Sequence, residues 1–93
     1  MVTHAMPALP MARADVLLRR VGNEWVLFDS SRNKAHVLNL TAAVVWTYCD
    51  GSHESDAIAD AIGREIPDAP AADSIRADVS RVLKRFADEG LLR

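Results

Sequence analysis

The sequence predicts an α+β domain: a three-stranded antiparallel sheet followed by a three-helix bundle, the outline of a winged helix with its sheet placed first. Three observations predict it. Between residues 16 and 40 the apolar residues come in short runs cut by turn residues, which is how strands read. Beyond residue 40 they recur every three or four residues, the period of a helix face. The chain has 93 residues, 49% of them apolar, enough for one modest core and too few for a two-domain enzyme.

Residues 1–14 contain Pro7 and Pro10 and no usable periodicity, so they read as a flexible tail before a domain spanning 15–93. Val16 to Arg20 is the first strand. Gly22-Asn23 is a two-residue connection in which glycine supplies the positive φ of a tight hairpin, and Glu24 to Asp29 returns as the second strand. The polar stretch 30–34 turns the chain again, and Ala35 to Leu40 makes a third strand, antiparallel to the second.

Thr41 is placed to cap the first helix, Ala42 to Cys49, with Leu40 stapling against Val45 and Gly51 ending the turn behind it. Ile58, Ile62 and Ile66 recur every four residues beside Ala57 and Ala61, which gives a second helix over about Glu54–Glu65, stopped before Pro67. Residues 67–71 form a loop. Ile75, Val79, Val82, Leu83 and Phe86 then mark one face of a longer third helix ending at Gly90, after which Leu91 and Leu92 fold back onto the core.

Composition narrows the function classes. Eleven Lys and Arg against 13 Asp and Glu leave a net charge of -2, so long-range attraction to a polyanion is weak unless a local basic patch exists. The single Cys49 excludes an intramolecular disulfide and a Cys-rich metal site, and it reads as a buried, inert thiol in a reducing compartment. No apolar run suits a membrane span or a signal peptide, so the expected location is the cytoplasm. His4, His36 and His53 lack the spacing of a metal site, and no cofactor or metal is expected. Glu54, Asp56 and Asp60 read as dipole complements and a solvated face. An enzyme using His53 with Glu54 or Asp56 lacks an oriented partner and a pocket.

Two surfaces remain that suit binding. In a simple meander the third strand lies at a sheet edge, with backbone groups along Ala35, His36, Val37, Leu38 and Asn39 that either accept another strand or are covered by a helix or the tail. The apolar arc of the third helix extends past its seam to Leu83 and Ala72, with Arg76 at its border, and can wall a groove. Its other shoulder carries Arg81 and Arg85 with Lys84 nearby, which is the basis for an alternative reading as a winged-helix DNA-binding module. The interleaved Asp78, Asp88 and Glu89 argue for a mixed, solvated face instead. Trp25 and Leu27 point to one side of the second strand, where an enzyme-docking or homodimer surface is expected.

The stretch from Asn23 to Gly51, with Val37-Leu38-Asn39-Leu40-Thr41-Ala42-Ala43, Trp46 and Asp50-Gly51 at a strand-to-helix junction, is followed by AIADAI at 57–62 and RFADEGLLR at the end. This ordered set resembles the PqqD-like family, small non-catalytic chaperones, or recognition elements, of ribosomally made and then modified peptides. The resemblance implies that the leader of a precursor peptide adds as a fourth strand beside strand three, against helix three, and is presented to a modifying enzyme, often a radical-SAM enzyme. By position it assigns the ladder to Ala35–Asn39 and the groove to Arg76, Val79 and Leu83. Leu38, Leu40 and Trp46 would belong to the core, and Asn39 and Thr41 would cap the junction. Family members tend to open helix two with Ser or Thr, where this chain has Glu54 between Ser52 and Ser55.

Overall fold

The computed structural model describes residues 9–93. Three strands, β1 (Val16–Val21), β2 (Glu24–Asp29) and β3 (Lys34–Leu38), are followed by three helices, α1 (Leu40–Thr47), α2 (Ser55–Glu65) and α3 (Ala72–Asp88). The sheet is an antiparallel meander in the order β1-β2-β3, so β1 and β3 are its edges. Gly22 takes φ 61° at the first central position of the β1–β2 hairpin, and Asn23 has no positive φ, which makes this a type II′ turn. The second hairpin closes with Asn33 at φ 53°, a conformation that asparagine tolerates better than most residues.

The period-two alternation of a strand sorts the sheet into two faces. Val16, Leu18, Trp25, Leu27 and Leu38 lie on the face toward the helices and join Val45, Trp46, Ile58, Ile62, Ile75, Val79, Phe86 and Leu91 in the core. Trp46 meets Phe86 edge to face, with ring centroids 5.3 Å apart, at the centre of that core. The opposite face carries Leu17, Val21, Phe28 and Val37, all exposed. The docking face expected around Trp25 and Leu27 is therefore on the wrong side of the strand. Leu27 is fully buried and Trp25 packs against the core, while the open apolar residues belong to the other alternation.

The strand-to-helix junction is capped two residues earlier than the sequence suggests. The Asn39 side chain accepts a hydrogen bond from the Ala42 N–H at 2.8 Å, and its carbonyl accepts one from Ala43. Asn39, not Thr41, is thus the N-cap of α1, as expected from the stronger capping preference of asparagine. Starting the helix at Leu40 turns that side chain outward, and it is exposed rather than part of the core. Helix α2 opens at Glu54 without a side-chain cap.

Residues 1–8 of the expected tail, with His4, Met6 and Pro7, lie outside the described residues. Its later part differs from expectation. The Pro10 carbonyl accepts from the Gly51 N–H, the Ala12 N–H donates to the Cys49 carbonyl, and the Arg13 N–H donates to the Leu91 carbonyl. The Arg93 N–H donates back to Met11. Residues 10–13 are thereby a strap between the end of α1 and the C-terminus, and periodicity could not announce them because each bond is made to a partner distant in sequence.

One charged group is buried within this frame. Asp29, 1% exposed, accepts hydrogen bonds from Ser31 Oγ at 2.8 Å and from Arg13 Nη1 at 3.1 Å. The Ser31 bond, followed by those of Arg13, holds its carboxyl below the ordinary carboxylate range against the opposing effect of burial. Arg13 also donates to the Gly90 carbonyl, so one guanidinium ties the strap, β2 and the end of α3 together.

Candidate functional site

Among the described residues no strand pairs with the outer edge of β3, and the turn chemistry decides which of its backbone groups face outward. In a two-residue hairpin the closing pair, Val21 and Glu24, exchanges backbone hydrogen bonds, and the bonded pairs then recur at every second position. Glu24, Val26 and Phe28 therefore direct their backbone groups to β1, and Trp25, Leu27 and Asp29 direct theirs to β3. Their partners Leu38, His36 and Lys34 face back into the sheet. Ala35 and Val37 are left with N–H and C=O groups pointing away from β2. A contact from the other side agrees with this: Arg85 of α3 reaches the Val37 carbonyl, with Nη2 3.4 Å away.

Of the five edge residues expected from sequence, the structure brings Ala35 and Val37 to the open side as ladder groups. His36 and Leu38 use their backbone inside the sheet and their side chains on the helix face, where Leu38 is buried. Asn39 is committed to capping α1.

The wall facing this edge is also different from the one expected. A cleft beside the end of β3 is lined by Asn39, Thr41, Asp78, Arg81 and Val82. Farther along, Glu89 Oε2 lies 2.8 Å from His36 Nδ1, and the Arg85 guanidinium lies over Val37. The flank of α3 that meets β3 is therefore made by Asp78, Arg81, Val82, Arg85 and Glu89. Ala72 and Arg76 line a separate cleft with Ala59, Asp60 and Gly63 of α2. Leu83, seven residues from Arg76 and so at nearly the same angle around the helix, shares that far flank. Val79 is fully buried in the core. The apolar arc of α3 spans both flanks, and only tertiary packing decides which of them the strand approaches.

The ionic pattern on the near flank is specific. Arg81 pairs with Asp78 at 2.7 Å, and Lys84 with Asp88 at 2.7 Å on the solvent side. Among the described residues Arg85 has only long contacts, 3.4 Å to the Val37 carbonyl and 3.8 Å to Glu89 Oε1. The basic shoulder that suggested DNA binding is thus interleaved with its own acids. Among the described residues neither His36 Nε2 nor Glu89 Oε2, both buried, has a hydrogen-bond partner.

The remaining candidates are accounted for structurally. Cys49 is buried, donates to the Val45 carbonyl at 3.3 Å, and has its thiol pushed up to about 12, chiefly by burial and then by Asp50. His53 Nδ1 lies 2.9 Å from Asp50, not on Glu54 or Asp56, and its ring packs edge to face on Tyr48. Ser52, above all, and His53 lower the Asp50 carboxyl to about 2. Among the described residues no group of three or more His, Cys, Asp or Glu could hold a metal ion, and no helix is long and apolar enough to cross a membrane.

A family model described as coenzyme PQQ synthesis protein D (PqqD) matches residues 24–92. Two solved structures share the fold. One, TbiB1 in complex with the TbiA(beta) leader peptide, is 19% identical with a TM-score of 0.72, covering 89% of this chain and 94% of that one. The other, a lasso peptide synthetase B1 complexed with the leader peptide, is 17% identical with a TM-score of 0.72, covering 88% of this chain and 94% of that one. No curated protein matches the chain.

Proposed function

This chain belongs to the PqqD family, and from that premise we propose that it is a non-catalytic peptide chaperone which binds the leader of a ribosomally made precursor peptide. The leader adds as a fourth strand beside β3. The observation that carries this reading is the alternation at the edge, where Ala35 and Val37 offer backbone donors and acceptors beside the flank of α3 made by Asp78, Arg81, Val82, Arg85 and Glu89. Main-chain hydrogen bonds supply affinity in this mode, and side chains lying over α3 supply selectivity. The solved relatives of the same fold hold leader peptides, which supports the assignment.

In the fuller reading the protein works in the cytoplasm and presents the remainder of the bound precursor to a modifying enzyme, of which a radical-SAM enzyme is one type. The peptide-binding domain then includes the strap at 10–13, because its bonds to Cys49, Gly51 and Leu91 hold both ends of the helical layer in place. The exposed sheet face carrying Leu17, Phe28 and Val37, rather than Trp25 and Leu27, is the surface available for the enzyme or for a second copy.

Amide NMR of the labelled protein titrated with synthetic peptides from short reading frames beside its gene tests the reading, with a random DNA duplex as control. Saturable shifts concentrated at 35–39 and 78–89 with one peptide are expected. Shifts on α3 with DNA alone would overturn it in favour of nucleic-acid binding.

A further inference from the structure

Resting on the reading of β3 as a peptide edge, we infer that Arg85 is a specificity-determining residue that selects peptides carrying an acidic side chain next to the position paired with Val37. The Val37 carbonyl is an acceptor that an added strand needs for its own N–H, and Arg85 Nη2 occupies that place at 3.4 Å. An incoming strand therefore displaces the guanidinium. The loss is small, because 3.4 Å is a long hydrogen bond and the contact to Glu89 is 3.8 Å.

Strand geometry says what the displaced cation meets. The peptide residue paired with Val37 places its side chain on the same face as Val37, the exposed face of the sheet. Its two neighbours along the peptide point to the opposite face, over α3, where Arg85 must go. Of the acids already there, Asp78 is engaged with Arg81 at 2.7 Å, and Glu89 meets Arg85 only at 3.8 Å. A peptide carboxylate at either neighbouring position gives Arg85 a short, charge-assisted partner in place of two long ones. A lysine or arginine there meets Arg85 with like charge. The site thus takes an extended peptide with Asp or Glu one residue before or after the residue paired with Val37.

A phage-displayed library of short random peptides, panned on the wild-type protein, Arg85→Gln and Arg85→Glu, tests this. Wild-type binders are expected to be enriched in Asp or Glu at a fixed position within an extended apolar pattern. Replacing that acid by its amide in a synthetic binder should weaken binding about tenfold, as for a lost charge-assisted pair of about 1.4 kcal/mol. Arg85→Gln should lose the enrichment, and Arg85→Glu should replace it by Lys or Arg. Arg85 is exposed on the helix surface, so both variants are expected to fold, which circular dichroism checks.

Binders that depend on an intact edge, judged by weaker binding to Val37→Pro, but show no acid preference would overturn the role of Arg85 alone. So would an acid preference that persists in Arg85→Glu. If no binder is weakened by Val37→Pro or by Ala35→Pro, the peptide edge itself is overturned, and the role of Arg85 with it.

Discussion

Replacing Val37 by proline isolates one backbone donor at the β3 edge. The N–H of Val37 points away from β2, so the substitution removes no bond of the existing sheet, and the side chain it replaces is already 55% exposed. Proline is tolerated in a strand in this position, where the missing N–H faces outward. Unfolding by urea should therefore shift by no more than about 0.5 kcal/mol, the usual range for a surface change. Peptide binding loses one main-chain hydrogen bond, a net of about 0.5–1.5 kcal/mol. At about 1.4 kcal/mol per factor of ten, this is a drop of about 2- to 12-fold in affinity, measured by fluorescence anisotropy with a labelled selected peptide. The neighbouring His36→Pro is the contrast, because that N–H bonds Leu27 inside the ladder and its removal should damage the fold first. Unchanged affinity in both Val37→Pro and Ala35→Pro, with each variant folded, would refute strand addition at β3.

Four further outcomes follow from the packing. Phe86→Ala should cost about 3–5 kcal/mol in urea unfolding, since the fully buried ring that meets Trp46 leaves a cavity at the centre of the core. The Asp29 carboxyl lies below its ordinary value near 3.8 in the folded protein, so its contribution is complete above that pH and is lost as pH falls through the lower folded value. Asp29→Asn should accordingly lower stability at neutral pH and flatten part of the acid-side decline, with Asp50, lowered to about 2, supplying a share that survives. Gly90→Ala forces an alanine to φ 69° and brings its Cβ within 2.7 Å of Arg32 Cζ. The arginine can move, but the left-handed backbone remains, and a loss of about 1–2 kcal/mol is expected from thermal denaturation. Cys49 should stay unmodified by iodoacetamide at pH 8 in the native protein and react once urea exposes it, because its thiol is buried and pushed up to about 12.

Most of the elements are legible in the sequence because their signals are local. Gly22-Asn23 fixes a hairpin by the backbone freedom of glycine, and Ile58, Ile62 and the Ile75–Phe86 seam mark helix faces by spacing alone. The N-cap differs from expectation for an equally local reason: Asn39 and Thr41 both suit capping, and the sequence does not show which side chain reaches the Ala42 N–H. The exposure of Leu40 follows from that shift.

Three further matters are settled only in three dimensions. Alternation along β2 shows that Trp25 and Leu27 share a face, but the helices have to be placed before that face becomes the core and the side of Phe28 the surface. The apolar arc of α3 is wide enough to serve either flank, and packing turns Arg76 and Leu83 away from β3 and brings Val82, Arg85 and Glu89 toward it. Residues 10–13 carry no periodic pattern, because their partners lie at residues 49–51 and 91–93. By itself the sequence determined the order of strands and helices, the family resemblance and the edge position of the third strand, all of which rest on neighbours close along the chain. The tertiary structure decided which backbone groups on that edge are free and which side chains face them, because register and helix rotation are set by contacts between segments far apart in sequence.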